Sequence, residues 1–269
     1  MCVANGAQRG RYKPLCEDTQ VLGNVQPMSN ARIISQLGLL TTVLFLGMLA
    51  PSLVASAASA EERVDHRTQE ALAMDAHPVR GKELYSEYCS RCHGGAGQGN
   101  ASKVIPVLAG QRFTYLVRQL ANFAGAERDS STMHGVAIQP AINDPQEWVN
   151  IAAYLNRLTP PIDAQVGSGR AMQLGRGIFH EQCASCHGAD ASGDRDGFVP
   201  SLRHQHYAYL DEQMHKLADG FRHNADEDLV RFMRSFDETD MRGTADYLSR
   251  LQGPGKIRDT MRQDGVVVN

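Results

Sequence analysis

Five residues occur twice, 94 positions apart: Cys89-Ser90-Arg91-Cys92-His93 and Cys183-Ala184-Ser185-Cys186-His187. Both read C-x-x-C-H. This is the attachment sequence for a c-type haem, in which each Cys adds to a haem vinyl group as a thioether. The adjacent His is then held beneath the iron as its proximal ligand. Two copies predict two covalently held irons, and with them electron transfer or haem redox catalysis. Two other chemistries use a Cys pair. Zinc needs a second ligand pair at each site, and neither motif has a further Cys nearby. A redox dithiol stands on the strand-to-helix turn of a βαβ unit, whereas the segments before both motifs read as helix.

The repeat extends beyond the motif, which raises its specificity. At the same offset Gly81 matches Gly175, Glu87 matches Glu181, and Gly94 and Gly99 match Gly188 and Gly193. Pro106, Gln111, Tyr115, Gln119 and Arg128 match Pro200, Gln205, Tyr209, Gln213 and Arg222. The offset has become 93 by the end of each unit, where Tyr154 and Leu158 match Tyr247 and Leu251. The chain is therefore one domain duplicated. A unit this short is small for a single apolar core, and a buried haem supplies much of the missing interior.

The fold class predicted is all-α. In each unit a first helix (residues 79–88 and 172–182) runs into the motif, and a glycine-rich loop follows. A middle helix covers 113–123 and 207–218. A last helix, at 145–158 and 238–251, shows apolar residues at helical spacing. Domain 1 spans 78–160 and domain 2 spans 169–252. The linker is 161–168; Pro160-Pro161 stops the preceding helix, and Gly167-Ser168-Gly169 is expected to leave the chain free. A polar tail, 253–269, is expected to be extended or disordered. Residues 1–60 fall outside the predicted fold. There an apolar run at 33–53 precedes two A-x-A cleavage sequences, Ala55-Ser56-Ala57 and Ala58-Ser59-Ala60, as in a secretory signal peptide. An uncleaved membrane anchor is the alternative. Met28 is a second possible start, and Cys2 and Cys16 receive no role. No disulfide is expected.

Net charge is +2 over residues 78–160 and −4 over 169–252. Such asymmetry can orient a molecule between two partners, or be an ordinary solvated surface. No basic block suits nucleic acid.

Gly81-Lys82-Glu83-Leu84-Tyr85, the run CSRCHGGAGQG from Cys89, Pro106-Val107-Leu108-Ala109-Gly110-Gln111 and Tyr115-Leu116-Val117-Arg118-Gln119-Leu120 resemble the first half of the dihaem cytochromes c of the c-four type. The second half resembles the same pattern more loosely. The resemblance implies two tandem class I cytochrome c domains related by a pseudo-twofold axis, with haem propionates facing each other. It also implies an electron carrier of the bacterial periplasm. The haem-binding residues are then Cys89, Cys92, Cys183 and Cys186, with His93 and His187 on the irons. Pro106 and Pro200, each 13 residues past its His, offer the carbonyl that orients it. The distal ligand in this family is Met, a soft, neutral thioether that favours reduced iron. Met133 is its representative in the first unit. In the second, Met233 is the expected ligand, although the family position counted back from the last helix falls near residues 227–229. Leu229, Phe232, Met233 and Phe236 also form an ordinary apolar helix stripe. If Met233 is core, the second iron is five-coordinate or takes a His such as His223. Met172, Met214 and Met241 read as packing residues. The repeated Gln111/Gln205, Tyr115/Tyr209 and Arg128/Arg222 either hold propionates or serve the fold.

The resulting expectation is a periplasmic dihaem electron carrier of a respiratory chain, not an enzyme. Its partners are a terminal oxidase, a quinol-oxidising complex or a dehydrogenase, with a membrane tether possible. The alternatives are a cytochrome subunit of a periplasmic dehydrogenase, and a dihaem enzyme working at an open second haem.

Overall fold

The computed structural model describes residues 58–194 and 196–253, with the backbone of 256–257, 262–263 and 266–267. The apolar run at 33–53, Cys2, Cys16 and Met28 lie outside the described residues. The first unit contains α1 (Ala60–Leu72), α2 (Pro78–Leu84), α3 (Ser90–His93), α4 (Phe113–Ala124), α5 (Ser131–Ala137) and α6 (Pro145–Arg157). The second repeats it from α2 onward: α7 (Met172–Ile178), α8 (Ala184–His187), α9 (Tyr207–Ala218), α10 (Glu227–Met233) and α11 (Glu238–Ser249). Beyond them, β1 (Leu251–Gly253) pairs antiparallel with β2 (Lys256–Ile257), and β3 (Arg262–Gln263) with β4 (Val266–Val267). Among the described residues no helix is long and apolar enough to cross a membrane.

The first helix of each unit crosses the last at a glycine. A Cβ on Gly81 would lie 1.9 Å from the Asn150 carbonyl oxygen, and one on Gly175 would lie 1.9 Å from that of Gly243. Only a residue without a side chain lets α2 approach α6, and α7 approach α11, so closely. Gly175→Ala is expected to destabilise the protein by about 1–3 kcal/mol or more, since overpacking must push two backbones apart. Chemical denaturation checks this; an unmoved midpoint would refute the close approach. Around the crossings the cores correspond. Tyr85 packs on Tyr154 with ring centroids 5.5 Å apart, and Phe179 on Tyr247 at 5.7 Å.

Besides α5, where no helix was expected, and the short strands at the end of the chain, three features depart from the sequence reading. First, α1 was missed. Ser59 accepts from the Glu62 N–H while the Glu62 carboxylate accepts from the Ser59 N–H, forming a capping box. Val64, Thr68 and Ala71 are buried, and α1 packs on α4 and α6. Second, the predicted first helices are interrupted. Residues Tyr85–Cys89 and Phe179–Cys183 wind as π-turns, which are frequent at functional sites. Third, the linker is held. The Gly169 N–H donates to Asp246 Oδ2 at 2.6 Å. Arg250 bonds Asp246 through Nε at 2.9 Å and the Gly167 carbonyl through Nη2 at 2.8 Å. Arg250 and Asp246 are both buried, and these bonds satisfy them where an unpaired buried charge would be costly.

The two units meet through reciprocal bonds. The Gln205 amide donates to the Val107 carbonyl at 3.0 Å and accepts from the Val107 N–H at 2.9 Å. Its counterpart Gln111 does the same to Ser201, at 2.9 and 2.8 Å. Position 201 is 107 shifted by the 94-residue repeat, so the pair obeys a local twofold relation. At the next position of each unit, Arg112 reaches the Ser192 carbonyl and His206 the Gln98 carbonyl.

His206 makes this contact sensitive to acid. Its Nε2 bonds Gln98 O at 2.9 Å, and its Nδ1 accepts from the Gln165 N–H at 3.1 Å. Burial lowers its pKa; the Gln98 carbonyl and Asp163 act in the opposite sense. Folding therefore favours the neutral ring. That contribution is fully present above the unfolded pKa of about 6.5 and is lost as pH falls through the lower folded value. Stability is expected to decline on acidification below about pH 6.5, and less steeply in His206→Gln. Denaturation midpoints of both proteins across pH check this, and parallel curves would exclude a role for His206.

Candidate haem sites

Each C-x-x-C-H motif leaves a π-turn and ends a short helix. Cys89 and Cys183 close the π-turns and are half-buried, whereas Cys92 and Cys186, one turn on, are exposed. None of the four is in a disulfide. Burial pushes the Cys89 thiol up to about 12 and that of Cys183 to about 11, opposite to the lowered values of reactive dithiols. Among the described residues no three His, Cys, Asp or Glu side chains cluster as a metal site.

His93 ends α3 and His187 ends α8, the first buried and the second half-buried. In each, Nδ1 faces a proline carbonyl at 3.2 Å, that of Pro106 for His93 and of Pro200 for His187. An Nδ1–H donated there fixes the ring and leaves Nε2 as the free lone pair, the second-layer arrangement of a metal-bound imidazole. Burial lowers both imidazole pKa values, with the carbonyl acting against it; the neutral ring is the ligating form. The carbonyls are delivered by tight loops. Gly99 and Gly193 have φ of +71° and +73°, and a Cβ on either would lie 2.5 Å from the backbone before or at the proline. Each donates its N–H to the carbonyl of its own His at 2.8 Å.

The sequence-expected distal residues do not occupy equivalent places. Met133 is half-buried at the third position of α5, and its N–H bonds the N-cap Ser130 at 3.3 Å. In α10 the N-cap Asp226 bonds the Leu229 N–H at 2.7 Å. Leu229 is thus the counterpart of Met133, and Met233 ends its helix as Ala137 ends α5. Met233 is buried in a cluster with Ala218 and Met241, flanked by Met214, Leu217, Phe232 and Phe236.

Between the units lies a polar cluster that the repeat had marked without giving its connections. Arg128 bonds Gln119 Oε1 at 2.7 Å in its own unit, and Tyr209 and Gln213 of the other at 2.7 and 2.8 Å. Arg222 bonds Tyr115 in turn. Burial, then the nearby Arg128, lower the Arg222 pKa. Burial would raise Tyr115, but the two guanidiniums beside it bring it below its ordinary value. The bonded partners of Arg128 are all neutral, and Arg222 Nε is buried with no hydrogen-bond partner. A buried and a half-buried cation call for anions. Paired haem carboxylates fit that requirement, just as the free His Nε2 and paired thiols fit haem iron and vinyl groups.

The two haem-attachment units, all-helical and repeated, define a tandem class I cytochrome c. Comparison with known proteins agrees. A family described as cytochrome c matches residues 172–252, and one described as cytochrome c oxidase, cbb3-type, subunit III, matches residues 76–155. The thiosulfate dehydrogenase electron acceptor of Stutzerimonas stutzeri (strain A1501) is 28% identical over 198 residues, covering 67% of this chain and 90% of its own. Cytochrome c4 of Azotobacter vinelandii is 27% identical over 175 residues, covering 61% and 80%. The reduced recombinant cytochrome c4 from Pseudomonas stutzeri superposes with a TM-score of 0.59 at 22% identity, over 66% of this chain and all of that one. Two cytochrome c domains in tandem, with relatives and structural neighbours of the c4 type, support a dihaem c4-type cytochrome that binds two covalent c-type haems and carries electrons.

Proposed function

We propose that this cytochrome works in the periplasm, as a carrier that accepts electrons from a thiosulfate-oxidising dehydrogenase and delivers them to a terminal oxidase of a respiratory chain. The observation that carries the reading is the reciprocal docking of two complete proximal sites. Haem, when bound, supplies a one-electron iron couple at each. The protein holds each imidazole against the Pro106 or Pro200 carbonyl, and Arg128 and Arg222 would hold the propionates between the units. Met133 would serve as the distal ligand of the first iron. The relatives described as thiosulfate dehydrogenase electron acceptors support this donor, and the cbb3-type likeness of the first unit supports this acceptor. Rapid mixing tests this. Thiosulfate with a thiosulfate dehydrogenase should reduce both haems within turnover times, and oxidase-containing membranes should reoxidise them. Reduction no faster than by thiosulfate alone would remove the donor assignment.

Export places a condition on processing. Cleavage after Ala57 retains Ser59, the cap of α1, whereas cleavage after Ala60 removes it. Losing a Ser cap costs about 1 kcal/mol. The mature N-terminus is therefore expected at Ala58, as read by intact mass; an N-terminus at Glu61 would contradict it.

A further inference from the structure

The two distal helices are capped alike and differ at the position that would face an iron. Each is seven residues long and begins with a side-chain cap on its third residue. That residue is Met133 in α5 and Leu229 in α10. Leucine has no lone pair to give an iron. The sulfur of α10, Met233, stands four residues on, about 6 Å along the axis. It takes the place of Ala137, which is fully buried in the first unit, and is itself 6% exposed among Ala218, Met241 and the ring pair Phe232–Phe236. The segment between Arg222 and Asp226 is two residues longer than that between Arg128 and Ser130, and the segment from Met233 to Glu238 is three shorter than that from Ala137 to Pro145. These changes account for the offset moving from 94 to 96 at the distal helix and to 93 at the last helix. The mismatch of Met233 is therefore a substitution at a conserved register rather than a displaced ligand.

The imidazoles of the second unit other than His187 and His223 are engaged. His180 faces the Tyr247 hydroxyl at 3.1 Å, His206 is bonded through both nitrogens, and His215 bonds the Asp211 carbonyl and Glu238. His223, in the lengthened segment, is exposed.

We propose that the second haem has no fixed sulfur ligand and keeps an exchangeable sixth position. Its ligands are small π-acceptor diatomics on the ferrous iron, with carbon monoxide as the probe. The inference rests on the dihaem reading and separates the two irons into a closed carrier and an open site.

Carbon monoxide titration of the fully haem-loaded, reduced chain tests it. One molecule per chain is expected to bind, shifting the Soret band of one haem. Met133→Leu should raise uptake to two. Met233→Leu should leave both the uptake and the weak ferric Met–iron band unchanged. No uptake by the native chain, joined to uptake and halving of that band in Met233→Leu, would overturn the proposal in favour of Met233. Uptake confined to His223→Ala would overturn it in favour of His223. An intact mass carrying one haem would overturn the dihaem reading itself, whereas two haems without uptake overturns only the open site.

Discussion

Cys183→Ser/Cys186→Ser protein carries one haem and loses the fold of its second unit, while Cys89→Ser/Cys92→Ser protein keeps much of its first. The asymmetry follows from how the cores are built. Among the described residues, thirteen buried residues of the first unit form a single cluster that includes Trp148. Those of the second divide into groups of seven and three, and Met241 stands where Trp148 does. The first unit also has α1, which has no counterpart in the second. Truncating a buried Trp typically costs about 3–5 kcal/mol, so the unit lacking one depends more on its haem for interior volume. Hydrogen exchange is the measurement. Protection should vanish across α7–α11 in the first variant and persist across α1, α4 and α6 in the second. Equal losses would show that the cluster difference has no bearing on stability.

Met133→Leu should lower the potential of the first haem substantially and leave the second wave in place. A neutral thioether favours ferrous iron, and axial ligands govern a span of roughly 0.8 V across haem proteins. The polypeptide change is small, since leucine is close to methionine in volume, which limits the stability cost to below about 1.5 kcal/mol. Spectroelectrochemistry resolves the two waves. A first wave that does not move would assign the ligand elsewhere.

Much of this molecule was legible in its residues. The repeat gave the two units, the helical spacing gave their middle and last helices, and the proline carbonyls stand opposite His93 and His187 as the resemblance implied. What escaped has physical reasons. The capping signature Ser59-x-x-Glu62 was present, but it overlapped a cleavage sequence, and one pattern hid the other. The π-turns have no spacing of their own, because they interrupt a helix whose apolar faces continue. Gln111 and Gln205 were recognised as repeated polar residues, yet their partners, the backbones at Ser201 and Val107, lie about ninety residues away and leave no side-chain trace. The second distal helix was countable. The register counted back to residues 227–229, and the third position of α10 is Leu229.

The glutamine clamps seize main-chain atoms, and this has an evolutionary consequence. Substitutions other than proline at Val107 or Ser201 leave every one of those bonds possible, because the amides of Gln205 and Gln111 read only N–H and C=O. After a gene duplicates, its halves can drift in side chain while still recognising each other by backbone. The two descendants are then free to specialise, one retaining the ancestral chemistry and the other acquiring a different one, without their partnership being renegotiated.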